Sequence, residues 1–415
     1  MSTNQSRYPG RVQWFHDSPN GDVIDSFYKE LRRLGYSNDW ARVLVRAAQH
    51  FSRFASRRNV PVSEFDEQLV ESFTLHLGQC RCSRYSGRQR MGQINGVRLF
   101  IQHLRNSAII RKSVVKTTVE QPALLVAFYQ WMRRERGSSD STLHDYGIEI
   151  QELLKCLGDD PRKFDARGLR SFVMRRSQNR GHRLVKRCTT ALRMFLRFLT
   201  TGGLCPVELE ASIPVIAHWG LASLPRYLQP QDVERIIVAC DPLTPTGKRD
   251  RAILLLLARL GLRAGDIVGL RLTDINWKEA WVRVSGKSHR EAKLPLTQEV
   301  GDAIVAYLTN GRPRIDVEQL FVRSAAPFRP FSSHCAVSTL VANAMRRAGV
   351  SRPSRGAAHL LRHSLATSLL RQGSSLQDIA LVLRHKSIET TQVYAKVDIA
   401  ALREIAQPWP EVSPC

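Results

Sequence analysis

HLLRHSLATSLLRQGSSLQDIALVLRHKSIETTQVY, residues 359–394, is the stretch from which the fold and the chemistry are read. His359 and Arg362 are three apart, so on a helix they share one face. SLATSLLRQG continues that helix with Leu365, Leu369 and Leu370 as its apolar side, and Gly373 is placed to end it. Ser374 or Ser375 can cap a second helix, LQDIALVLRH, in which Ile379, Leu381, Val382 and Leu383 are expected to be buried. His385 falls at its end, and a third helix is expected to carry Thr391, Val393 and Tyr394. Such a helix, turn, helix, turn, helix run gathers distant side chains on one wall.

One more arginine, Arg263, stands well upstream in ARLGLRAGDIVGLRLTDI. Two arginines offer planar forks of donors that match phosphate oxygens and keep their charge. A tyrosine hydroxyl, with an ordinary pKa of about 10, is a weak nucleophile unless a base or cations assist it. Histidines donate to phosphate oxygens or move protons near neutral pH. Alone, His-x-x-Arg on a helix is a solvated face, and a lone tyrosine on an amphipathic helix is packing. Together and in this order they suit phosphoryl transfer through a covalent phosphotyrosine, in which the protein supplies position and charge stabilisation.

On these residues the chain resembles the tyrosine recombinase (phage integrase) family, in detail over residues 224–405. By that resemblance GLR supplies the first catalytic arginine, Arg263, and HLLRH supplies His359 and Arg362. The histidine that usually ends a Leu-Gly-His triplet matches His385, and the nucleophile matches Tyr394 in TTQVYAKV. The family's hairpin lysine matches Lys287 in WVRVSGKSHREAKLPL, with Lys293 as its rival. Val282 and Val284 alternate with polar residues there, as in a half-buried strand. Asp266, three after Arg263, fits an acidic position able to orient that arginine. One departure is Arg384, where the family usually has glycine; its long side chain could reach DNA or solvent.

The resemblance implies a site-specific DNA recombinase of mobile-element type. Tyr394 would form a 3′-phosphotyrosyl bond, and Arg263 and Arg362 would hold the non-bridging oxygens. His359 and His385 would donate or assist proton transfer, and Lys287 would protonate the leaving oxygen. The covalent link keeps the bond energy, so no cofactor and no metal are expected. The partners implied are double-stranded DNA and further copies of the chain in a synaptic tetramer, with or without other recombinases. The alternatives are a type IB topoisomerase, which rejoins the same strand, and a DNA-binding protein with an inactive site.

Charge agrees with a polyanion partner. The 415 residues hold 62 Lys and Arg against 37 Asp and Glu, a net charge of +25, with a pI near 10.4. No run approaches the roughly 18 apolar residues of a membrane span; AILLLLA, from Ala252, stops at Arg259 and reads as a buried helix. MSTNQSRYPGRVQWF has no apolar leader core, so a cytoplasmic, nucleoid-associated protein with reduced thiols is expected. Among the 8 cysteines, Cys80-x-Cys82 with His76 nearby hints at a metal site. A second ligand pair at finger spacing is missing, so none is expected.

The first half carries a degenerate repeat. FYKELRR from Phe27 matches FYQWMRR from Phe128, and Phe65-Asp66 matches Phe164-Asp165. Ser72-Phe73 matches Ser171-Phe172, and VRLFIQHL from Val97 matches LRMFLRFL from Leu192. Each unit reads as about four helices. LRLTDINWKEAWVRVSGKSHREAKLPL adds three short strands in the second half. The expected fold class is therefore mainly α. It comprises two small SAM-like helical bundles and an α-rich α+β catalytic domain with a small antiparallel sheet. The expected division is an additional helical domain at 1–112, a core-binding domain at 120–207, a linker at 208–225, a catalytic domain at 226–405 and a tail at 406–415.

Overall fold

The computed structural model describes residues 20–80, 82, 90–110, 122–178, 180–216, 225–285, 291–351, 353, 356–385 and 387–397. Among them the chain is mainly helical, with one three-stranded antiparallel sheet. It divides into two compact units, one built from 1–112 with 221–415 and the other from 113–220.

The first unit opens with α1 (Gly21–Arg33), α2 (Asn38–Ser56), α3 (Glu67–Gln79) and α4 (Arg90–Asn106). The second consists of α5 (Ala123–Arg136), α6 (Asp140–Leu157), α7 (Ala166–Ser177) and α8 (His182–Thr201). The repeated phenylalanines explain why both four-helix sets close. Phe27 and Phe128, Phe65 and Phe164, Phe73 and Phe172, and Phe100 and Phe195 are all buried, each in its own bundle core. Each ring removes roughly 150–250 Å² from water. The repeated aspartates are helix caps: Asp66 accepts from the Leu69 amide at 2.8 Å, and Asp165 from the Gly168 amide at 2.6 Å. A 3₁₀ turn (Val207–Ser212) follows α8, and its Leu209, with Ile213, joins the second core.

The remainder of the first unit begins with α9 (Pro230–Val238), which has Pro230 in its first turn, and α10 (Pro245–Arg259). Residues 252–257 of α10 are fully buried on every face, so this helix is the centre of the core rather than a membrane segment. No helix among the described residues is long and apolar enough to cross a membrane. After α11 (Ala264–Gly269) come β1 (Ile275–Asn276), β2 (Trp281–Ser285) and β3 (Glu291–Pro295). They pair in the order β1-β2-β3, with Val282 opposite Leu294 and Val284 opposite Ala292. Val282 and Val284 point into the core, as their alternation predicts.

Next come α12 (Gln298–Asn310), α13 (His334–Arg347), α14 (Ala357–Arg371) and α15 (Leu376–Val382). The end of α1 meets this part of the unit. The Phe328 amide donates to the Leu34 carbonyl at 3.2 Å, and Gly35, at φ 88°, lies where a Cβ would come within 2.2 Å of the Phe328 ring.

Two expectations for 376–394 are corrected. Ile379 and Leu383 are fully buried, but Leu381 is 74% exposed and Val382 37%. In a helix of two turns, only residues four apart keep facing the core. The expected third helix is instead two 3₁₀ segments, Ile388–Thr390 and Gln392–Val397. Ser387 caps Glu389, and Thr390-Thr391 are β-branched weak helix formers, so no α-helical nucleus is favoured there. Ile379→Ala should cost about 2–5 kcal/mol in urea unfolding, whereas Leu381→Ala should stay within about 0.5 kcal/mol.

Candidate active site

The site is assembled where α10 ends. Gly261 turns the chain at φ 59°, a conformation that L-residues avoid. A Cβ there would lie 2.7 Å from Leu383 and 3.0 Å from Leu365, so the position needs glycine for space as well. The turn delivers Arg263 to the N-cap of α11, where its amide donates to Asp266 Oδ2 at 2.8 Å. Arg362 comes from the buried side of α14 and is 3% exposed. Its guanidinium donates to the Gly261 and Leu383 carbonyls. Arg263 Nη2 donates to the Arg384 carbonyl at 3.2 Å. Two consecutive carbonyls at the end of α15 thus hold both arginines. Helix ends leave such carbonyls unpaired and partly negative, which suits cations.

Arg384 shows why glycine is usual at its place: its φ is 54°, left-handed. The side chain reaches neither solvent nor the open side of the site. It turns inward and pairs with Asp266 at 2.6 Å, both groups nearly buried. Asp266 therefore does not hold the Arg263 side chain; it binds that residue's backbone and the guanidinium of Arg384. The Nε and Nη1 of Arg384 are buried with no acceptor among the described residues. Of the three guanidiniums gathered here, Arg384 alone pairs with the carboxylate of Asp266 among the described residues. Burial, reinforced by Arg263 and Arg384, pulls Arg362 down to about 9, still charged at neutral pH. Burial also lowers Arg263, against the opposing pull of Asp266. A buried excess of positive charge is stabilised by an anion.

Tyr394 is 1% exposed, and its hydroxyl lies 2.6 Å from His363 Nδ1. Burial raises the phenol to about 12, with Arg362 pulling the other way. His363 is the contact that the reading of the sequence missed, although it is the last residue of HLLRH. Burial, then His359 and Arg362, lower it to about 4. It is thus neutral at pH 7, and an imidazole that accepts through Nδ1 is placed to take the phenolic proton. His385 Nδ1 lies 2.7 Å from Thr391 Oγ1, tying the end of α15 to the segment carrying Tyr394. Burial and the two arginines lower His385 to about 4 as well. His359 is exposed on the rim of α14, its ring 6.3 Å from that of His363.

Arg263, Arg362, His385 and Tyr394 are thereby gathered around the end of α15, with His359 at the edge. Lys287 lies outside the described residues. Its rival Lys293 sits on β3 with its ammonium over the Trp281 ring at 4.5 Å.

The lowered histidines fix a sign. Both bind protons more weakly folded than unfolded, so their contribution to stability is complete above 6.5 and is lost as pH falls toward about 4. In NMR titration neither His363 nor His385 should shift above about pH 5. At residue 384 the backbone and the ion pair can be separated. Both Arg384→Gly and Arg384→Ala remove the pair, but only glycine relieves the left-handed strain. The glycine variant should be the more stable of the two by about 1 kcal/mol in urea unfolding.

The phage integrase family pattern matches residues 226–400. A Sinorhizobium fredii protein named as an integrase/recombinase is 34% identical over 94% of this chain and 96% of its own length. Among solved structures, XerH site-specific recombinase, bound to a palindromic difH substrate in a post-cleavage complex, aligns with TM-score 0.54. That match is 15% identical and covers 81% of this chain and 93% of that one. The Tn1549 transposon integrase in complex with transposon right end DNA aligns with TM-score 0.51 at 14% identity, over 68% of this chain and 99% of that one. The chain belongs to the phage integrase family and is a tyrosine-type site-specific recombinase.

Proposed function

We propose that Tyr394 is the nucleophile and that the cation cluster around residues 383–384 receives the scissile phosphate of duplex DNA. The observation that carries this is the convergence of Arg263 and Arg362 on adjacent carbonyls beside a phenol bonded to a neutral imidazole. The phenol oxygen attacks phosphorus, its proton passes to His363, and the bond to the 5′ oxygen breaks. A 3′-phosphotyrosyl link forms, and the 5′ oxygen leaves as a hydroxyl after taking a proton from Lys287. The reverse attack by a hydroxyl of the partner duplex rejoins the strands. Arg263 and Arg362 neutralise the non-bridging oxygens, His359 and His385 supply further donors, and Arg384 positions the turn. Tyr394 lies in its own chain's arginine cluster, which supports cleavage in cis. Because Tyr394 is 1% exposed, segment 392–397 has to open enough to admit the phosphate beside the phenol.

The helical sets at 1–112 and 120–207 are read as SAM-like modules, the second contacting DNA and the first contacting DNA or protein, with residues 208–225 leading on to a catalytic domain at 226–405 and a tail from 406. The palindromic substrate of XerH supports a site read by two copies, because palindromic sites pair with two-fold assemblies. The working assembly is then a synaptic tetramer acting in the cytoplasm. The transposon integrase among its structural neighbours supports a mobile-element origin.

The test is a nicked suicide substrate carrying the chain's own attachment site. Tyr394→Phe should retain DNA binding and give no covalent adduct on a denaturing gel; an adduct in that variant would sink the assignment. His363→Ala should slow adduct formation by roughly 100-fold or more. A faster reaction would mean that His363 only restrains the phenol.

A further inference from the structure

His50, His76, Cys80 and Cys82 come together in the first helical set. His50 lies in α2, His76 in the last turn of α3, and Cys80 caps α3. One ligand atom from each of the four lies within 4.8 Å of all the others. His50 Nε2 is 3.3 Å from His76 Nε2 and 3.5 Å from Cys80 Sγ, and His76 Nε2 is 3.9 Å from Cys82 Sγ. A tetrahedral zinc ion takes nitrogen at about 2.0–2.1 Å and sulfur at about 2.3 Å, which sets its ligand atoms roughly 3.3–3.8 Å apart. The first two separations fall in that range and the third lies just above it. The 3.3 Å between the imidazole nitrogens is longer than a good hydrogen bond.

We propose that these four residues form a structural zinc site. Two thiolates and two imidazoles are the soft, tetrahedral set that selects zinc, and four protein ligands leave no open position for catalysis. The outer contacts agree. His50 Nδ1 lies 3.1 Å from Gln93 Oε1, a bond that fixes the ring with Nε2 facing the cluster. The ion would tie α2 to the end of α3, and through Gln93 to the start of α4. There the Cys82 amide donates to Cys80 Sγ at 3.4 Å, beside the C-cap of α3. The sequence conceals the site because His50 lies on another helix and Cys80-x-Cys82 has no second pair at finger spacing.

The full-length chain, purified without chelators, should carry about one zinc per molecule by elemental analysis. The Cys80→Ser, Cys82→Ser double variant should carry none. Cobalt(II) added to the stripped wild-type chain should give thiolate-to-cobalt charge transfer and strong tetrahedral d–d absorption. Gln93→Ala should weaken zinc binding about 10–100-fold. Zinc-free wild-type protein with only a weak octahedral cobalt spectrum would overturn the proposal, as would undiminished zinc in the double cysteine variant. If that variant does not fold, the wild-type cobalt spectrum decides.

Discussion

Two peptide carbonyls, those of Leu383 and Arg384, fix the arrangement of the candidate site. They terminate a helix of only two turns, yet they receive guanidiniums from α14 and from the turn after α10. Without them two positive side chains would stand buried against each other. Gly261 completes the arrangement, because its carbonyl takes the other arm of Arg362 and its missing Cβ lets Leu383 approach. Geometry and charge are thus set by backbone, which does not change rotamer when substrate arrives.

Arg384 shows how one unfavourable choice is offset by another. A left-handed arginine costs roughly 1–2 kcal/mol relative to an unstrained residue. Its ion pair with Asp266 returns part of that, and also adds a third positive group behind the two that face the site. The usual glycine would spare the strain but contribute no charge. Asp266 keeps its capping bond to the Arg263 amide in either case.

Much of this was legible in the sequence. The phenylalanines of the repeat marked the two bundle cores, and Val282 with Val284 marked the central strand. GLR and HLLRH marked the arginines. Where the reading fell short, the cause was physical. Leu381 and Val382 counted as apolar, but a two-turn helix cannot bury four of its last residues. Arg384 was expected to reach DNA or solvent because its φ could not be read from its identity. His363 was passed over beside His359 and Arg362, since only packing reveals which histidine meets the phenol. His50 was invisible beside Cys80 and Cys82 because nothing in linear spacing links it to them.

The bond between Tyr394 and His363 has one more effect. With its oxygen turned into its own chain, the phenol is withheld from small electrophiles and from enzymes that modify exposed phenols. On the proposed reading, in which this oxygen is the nucleophile, a freely diffusing copy carries it sheathed. DNA brushed in passing would then be left uncut, and only a duplex that stays long enough for the segment to open would be committed to breakage.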